Sequence, residues 1–573
     1  MDYSEAIATA RGDRAADLVL KNARVVDVLA GETYESDIAI QGSLIVGVEK
    51  GYEGQETIDL EGRYVCPGLI DAHVHIESSM VTPREFARAV VPHGVTTVIT
   101  NPHEIANVLG VEGIRFMVDD AADVPLDAYV TIPSCVPASH LATSGAELNA
   151  ENLKPLCGAP GVIGLGEVMN FPGVVAADPK MLDEIDLFRD YPVDGHCPGL
   201  SGKGLNAYVT AGITSDHECI GAEEAKEKLR LGMRVFIREG SAARNLKDLI
   251  PLVTPRNERW VCFCTDDRHP ADLLRQGSID HVIRLAIGEG LDPVSAIRMA
   301  TLNSAEHFRL FDRGFVGPGR KADLVVFSDL QQPTPEMVFQ NGRLVARDGS
   351  MVEGVLDSAS KESELRARNT MTVDLACVDL SIPAKGEKIR VIGMVPGQLF
   401  TEEIIAEPRI GGGLAISDPE RDILKMAVIE RHRGSCRVGL GFVRGFGLKR
   451  GALASTVAHD HHNLMVIGVD DQSMLTAAGA LAGAGGGQCV AKGARVLGLL
   501  PLPIAGIMSD LSVDEVRRQA EELHAVLGEL GTSLQDPFMP LSFMGLEVIP
   551  NLKLTDLGLV DVTQFKQVDL FVE

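Results

Sequence analysis

A chain of 573 residues is too long for one hydrophobic core and predicts about three packing units, one of them large. Its 45% hydrophobic and 5% aromatic residues describe a soluble globular protein, and a formal net charge of -27 with a pI near 5.0 excludes nucleic acid, because phosphate recognition needs clustered Lys and Arg. The opening Met1-Asp2-Tyr3-Ser4-Glu5 has no basic and then apolar leader, and no apolar run reaches the roughly 18 residues that span a bilayer, so a cytoplasmic chain without membrane contact is expected.

The first elements are strands. Ala16 to Asp27 alternates apolar and polar residues, and Asp37 to Ile40 and Leu44 to Val48 follow with the same texture. Ala322 to Val326 and Gln340 to Val345 repeat it some three hundred residues later. Residues 1–65 and 310–355 are therefore expected to form one composite small β-sandwich around whatever lies between. In 66–309, apolar strand-like runs alternate with helical patterns such as Pro83 to Val90 and Ala222 to Leu231, which yields a parallel sheet with crossover helices. The runs end near Asp71, Thr100, Ser134, Glu167, His196, His217, Glu239 and Asp266, and eight such strands predict an α/β fold, a (β/α)8 barrel with functional groups at the carboxyl ends of its strands.

Residues 356–385 are polar and charged and read as a linker, and 386–573 as an additional α+β domain. Within that domain, Ser512-Val513-Asp514-Glu515 fits a capping box for a helix whose Val516, Ala520, Leu523, Leu527 and Leu530 form a core stripe. Gly485-Gly486-Gly487 follows a helix and lacks the Lys of a phosphate-binding loop. The ten cysteines include no Cys-x-x-Cys pair and are expected to be reduced and mostly buried; Cys262 and Cys264 alternate within an apolar strand and read as packing.

The chemistry begins at Pro67-Gly68-Leu69-Ile70-Asp71-Ala72-His73-Val74-His75, where two imidazoles at i and i+2 share one face of a strand and suit one metal ion. With Glu167, His196, His217 and Asp266 at later strand ends, six candidate ligands converge on one mouth. One ion takes about three or four protein ligands, so six predict two ions with a carboxylate between them, and Glu167 is central in strand order. Metal binding lowers the pKa of water from about 15.7 toward about 7, and Asp266 is the candidate to take the proton of that water.

These motifs resemble the amidohydrolase superfamily over nearly all of residues 10–350, with Thr301-Leu302-Asn303-Ser304-Ala305 and Gly319-Arg320-Lys321-Ala322-Asp323-Leu324-Val325 similar to its closing segment. Within it, Thr100 to Val108, Phe263 to Arg268 and the domain containing Ala458-His459-Asp460-His461-His462-Asn463 resemble the adenine deaminase family. Many dinuclear relatives carry a carboxylated lysine at the end of strand four, where this chain has Gly164-Leu165-Gly166-Glu167, so the bridge is expected to be an ordinary carboxylate. The resemblance implies hydrolytic deamination of adenine to hypoxanthine and ammonia in purine salvage. It favours manganese or iron(II) over zinc, and a homo-oligomer, a dimer first.

In that reading Asp266 shuttles the proton, and Glu167 or Glu239 protonates N1 of the purine. His103, Glu104, Ser241 and Arg244 are candidate substrate contacts. A turn cap accounts equally for Asn101-Pro102, and a salt-bridged surface acid for Glu239. His459, His461 and His462 are secondary candidates, on a hairpin turn or on a loop that closes over the barrel mouth or binds another ion. His75-Ile76-Glu77 matches half of the zinc deaminase signature, whose Pro-Cys-x-x-Cys half the sequence lacks. Two rivals stand beside this reading: a metal-dependent amide or cyclic-imide hydrolase such as a deacetylase or dihydroorotase-like enzyme, and a non-catalytic barrel, which predicts missing ligands.

Overall fold

The computed structural model describes residues 3–356, 361–396 and 398–572. Met1, Asp2 and the 357–360 part of the expected linker lie outside the described residues.

Eight short parallel strands form the centre of the chain: Leu69–Val74, Val95–Thr100, Asp127–Ile132, Val162–Val168, Val193–Gly195, Ser215–Asp216, Arg234–Arg238 and Val261–Cys264. Val95–Thr100 is buried at every position, as expected of a β-branched strand covered on both faces. The first five strands pair in sequence, as do the last three. The ring is completed at two seams. Thr214 N–H donates to Val193 O at 2.9 Å between the fifth and sixth strands, while His75 N–H to Asp266 O at 2.9 Å and Asp266 N–H to His73 O at 3.0 Å join the first to the eighth. Asp266 adopts φ 59°, a left-handed conformation that Asp tolerates better than most residues. The predicted barrel is thus observed. Cys262 and Cys264 lie in a buried cluster with Ile70, Ile99, Phe236 and Phe308, a packing role.

The early and late β segments join in one nine-stranded sheet, through Leu324–Phe327 running antiparallel to Tyr64–Pro67. This pairing returns the chain beside the strand that leads into the first barrel strand.

The C-terminal region is built on a second nine-stranded sheet, carrying helices Asp471–Ala484 and Val513–Leu530. Ser512 accepts from Glu515 N–H, and Val516, Ala520, Leu523, Leu527 and Leu530 are all buried, as the pattern predicted. This helix also reaches the barrel: Val513 N–H donates to Glu85 at 3.1 Å and Arg275 pairs with Glu521 at 2.7 Å. Gly485 caps the preceding helix at φ 83°, so the glycine run is a helix stop.

One expectation fails. Cys377 and Cys436 form a disulfide with Cα atoms 5.8 Å apart, so not all ten cysteines are reduced. They are 59 residues apart and no local spacing marks them. Among the described residues, no helix is long and apolar enough to cross a membrane.

A Cβ on Gly487, at φ +139°, would lie 2.1 Å from Leu500 O, whereas one on Gly483 meets nothing within 4 Å. Gly487→Ala is expected to cost about 1–3 kcal/mol and lower the thermal midpoint, while Gly483→Ala, inside a helix, leaves it level or raises it. Melting curves of the two variants side by side check this, and equal midpoints would contradict it.

Candidate active site

The strand ends bring all six sequence-derived ligands together. His73, His75 and Asp266 form one set whose donor atoms lie within 4.8 Å of one another, and Glu167, His196 and His217 form a second. All are buried except His196, whose side chain is 22% exposed and marks the solvent side.

The imidazoles are aimed by their outer nitrogens. His73 Nδ1–H donates to Asp194 Oδ2 at 2.7 Å and His75 Nδ1–H to Asn101 O at 2.9 Å. Each ring then turns its Nε2 lone pair inward, and the two Nε2 atoms face each other at 3.2 Å. Two lone pairs at that distance repel unless a cation lies between them. Asp266 Oδ1 completes the set, 3.2 Å from His75 Nε2 and 3.6 Å from His73 Nε2. Donors around one ion at about 2.1 Å are about 3.4 Å apart in a tetrahedron, so these separations fit a divalent metal.

Glu167 lies between the sets. Its Oε1 is 3.2 Å from His75 Nε2, while Oε2 is 2.6 Å from His196 Nδ1 and 2.9 Å from His217 Nε2. Both His217 nitrogens are buried without an aligned hydrogen bond, the state of a lone pair directed at a cation. Burial alone disfavours charge on His217, yet Glu167, Asp266 and Asp194 carry its pKa up to about 10. Burial likewise opposes charge on Glu167, but His196 and His217 hold its carboxyl well below the usual range. Such a donor set stabilises a cation as it does a proton. The residues therefore fit two metals with one carboxylate facing both.

Three partners escaped the sequence reading. Asp194 supports His73 and also accepts from Ser215 Oγ at 2.7 Å; its place two residues before His196, at the end of the fifth strand, was the available signal. Arg238 donates to Asp266 Oδ2 at 2.8 Å and pairs with Glu218, whose Oε1 is 3.7 Å from His217 Nε2. Burial raises the pKa of Asp266, but Arg238 and His75 outweigh it and hold the carboxyl well below its ordinary value.

Other candidates are placed differently from expectation. Glu167 has both oxygens against imidazoles and is held ionised, so it is no proton donor to a substrate. Ser241 Oγ donates to Asp272 at 2.5 Å, and Arg244, with its side chain 49% exposed, caps Gly240 O; neither reaches the ligand set. Glu239 N–H donates to Cys264 O beside the eighth strand, and its carboxyl is raised by burial against the opposing Arg244 and Arg268. His103 Nδ1 approaches Glu167 Oε1 to 3.8 Å. Glu104 points away, toward the C-terminal sheet, with His459 and His462 on its two oxygens. The loop carrying them does join two adjacent antiparallel strands, Ala452–Ser455 and Leu464–Gly468, yet it also packs on the barrel mouth, so the two readings of it merge. His461 faces elsewhere: its Nδ1 accepts from Asn463 N–H at 2.9 Å.

Asp194→Ala leaves the His73 tautomer unfixed and is expected to weaken metal binding about 10–100-fold. Metal titration of the apoprotein measures it, and unchanged affinity would remove Asp194 from this role.

Comparison with known proteins agrees with this geometry. The amidohydrolase family model matches residues 64–345, and that for the adenine deaminase C-terminal domain matches residues 398–566. The chain is 49% identical over 569 residues to the adenine deaminase of Desulfatibacillum aliphaticivorans, covering 99% of both chains. It is 48% identical to adenine deaminase 2 of Carboxydothermus hydrogenoformans, covering 98% of both. With the adenine deaminase of Kosmotoga olearia it shares 46% identity over 100% of this chain and 99% of that one. The chain belongs to the adenine deaminase family of amidohydrolases.

Proposed function

We propose that this enzyme hydrolyses adenine at C6, replacing the exocyclic amine by oxygen to give hypoxanthine and ammonia. The observation that carries the reading is the complete set His73, His75, Glu167, His196, His217 and Asp266 at one barrel mouth, in a chain that matches adenine deaminases end to end. The complete ligand set removes the reason for reading the barrel as a scaffold, and these full-length relatives favour deamination over amide or cyclic-imide hydrolysis.

His73, His75, Asp266 and Glu167 would hold one divalent cation, and Glu167, His196 and His217 the other, with manganese or iron(II) preferred for so carboxylate-rich a site. Bound there, the cations supply Lewis-acid activation of water.

The remaining steps belong to the chain. Asp266 is kept ionised by Arg238 on Oδ2, leaving Oδ1 to take a proton from the attacking water and deliver it to the departing amine nitrogen. Attack at C6 moves an electron pair onto N1. Glu239, at the end of the neighbouring strand with its pKa raised by burial, is the donor assigned to N1, and it regains a proton from the C6 hydroxyl as the amine departs and the carbonyl forms. His103, with its Nδ1 free and 3.8 Å from Glu167, is the assigned contact for the purine edge. Ser241, bonded to Asp272, and the exposed Arg244 have no part in these steps. A role in purine salvage, a cytoplasmic setting and a homo-oligomer, a dimer first, complete the reading.

Ammonia release from adenine, with hypoxanthine identified by its absorbance, tests the assignment against acyl-amine and cyclic-imide substrates run in parallel. Turnover of those substrates with adenine untouched would overturn it. Asp266→Asn is expected to keep most of the bound metal and lose about 10²–10⁴ in kcat, because an amide coordinates but does not accept the proton. Full kcat in that variant would return the shuttle to another group. Glu167→Gln should lose metal from both positions, and elemental analysis showing full loading would contradict the bridging role.

A further inference from the structure

A second group of metal-ligating side chains lies beside the first, where the C-terminal sheet meets the barrel. His103 and Glu104 begin the helix His103–Leu109 after the second barrel strand, and His459, Asp460 and His462 come from the loop between Ala452–Ser455 and Leu464–Gly468. All five are buried, from 1% exposed at His462 to 7% at His459.

The donor atoms converge. His103 Nε2 is 3.3 Å from Glu104 Oε1 and 3.5 Å from Asp460 Oδ1, close to the about 3.4 Å between donors around one tetrahedral ion. His459 Nδ1 contacts that same Glu104 Oε1. His462 has a different part. Its Nδ1 accepts from Ala458 N–H at 3.2 Å, which leaves Nε2 protonated and donating to Glu104 Oε2. That bond orients the Glu104 carboxylate and presents Oε1 to the other three side chains.

Among the described residues Glu104 and Asp460 pair only with histidines, never with Lys or Arg, and Asp460 Oδ2 is buried without any partner. Glu77 is buried beside the same helix, its Oε1 accepting from Ile105 N–H at 3.3 Å and its Oε2 without a partner. Burying so many acids with no fixed cation is costly unless a metal or protons compensate.

We propose that His103 Nε2, Glu104 Oε1, His459 Nδ1 and Asp460 Oδ1 form a third divalent-cation site at the seam between the barrel and the C-terminal sheet, with His462 as its positioning residue. Two imidazoles and two carboxylates suit the first-row divalent metals that the neighbouring pair would take. The two halves of the chain contribute two donors each, so the ion pins the loop 456–463 over the barrel mouth. His103 would link the sites, its Nε2 on the third ion and its Nδ1 turned toward Glu167.

The test uses full-length protein saturated with Mn²⁺ and freed of excess, by elemental analysis and anomalous X-ray diffraction. The expected result is three equivalents per chain with a third anomalous peak between Glu104 and Asp460, and loss of that peak alone in the double variant His459→Ala/Asp460→Ala. Two peaks only in the saturated wild-type protein would overturn the proposal, as would a third peak retained in the double variant. If the variant does not fold, the wild-type map decides. An active deaminase with just two ions would sink this site and leave the proposed reaction standing.

Discussion

Inward-facing imidazole lone pairs and carboxylate oxygens at the barrel mouth repel one another, and much of the surrounding structure holds them in place despite that repulsion. His73 and His75 bring their Nε2 atoms to 3.2 Å only because Asp194 and the Asn101 carbonyl bind the opposite ring nitrogens. Their positions in turn depend on the seam between the first and eighth strands, where the Asp266 carbonyl accepts from His75 N–H and Asp266 N–H donates to His73 O. Backbone closure of the barrel at this seam and the placing of the first ligand set involve the same three residues, His73, His75 and Asp266.

Arg238 gives this arrangement its chemical polarity. By holding one oxygen of Asp266 at 2.8 Å, it leaves the other facing His75 and keeps the carboxylate ionised in spite of burial. Glu167 lacks such a cation and is stabilised instead by His196 and His217, which commits both its oxygens to the ligand set. Two buried carboxylates a few ångströms apart are thus placed differently: Glu167 turns both oxygens to imidazoles, whereas Asp266 gives one to a guanidinium and one to the histidines. The difference lies in their neighbours.

The C-terminal sheet contributes to the same electrostatics from outside the barrel. Its loop places His459 and His462 on Glu104, and Ser139 and Thr143 of the barrel donate to Glu547 and Asp556 at 2.8 Å and 2.6 Å. These polar contacts, together with those of the helix Val513–Leu530 to Glu85 and Arg275, seat the region on the barrel.

The sequence by itself determined the eight strands, the capped helix at Ser512 and which six candidate ligands stand at strand ends, because each follows from local periodicity: buried β-branched runs, a serine three residues before a glutamate, and acids or histidines at strand ends. Asp194 was legible in principle, on the fifth strand two residues before His196. Arg238, the Cys377–Cys436 bond and the meeting of Glu104 with His459 and His462 were not, since they join residues 28, 59 and more than 350 apart with no shared pattern. Tertiary structure alone decided which oxygen of Asp266 faces the histidines and where Glu104 points. A side chain's chemical identity is written in one position, whereas its charge state and direction are set by whichever distant groups the fold packs against it.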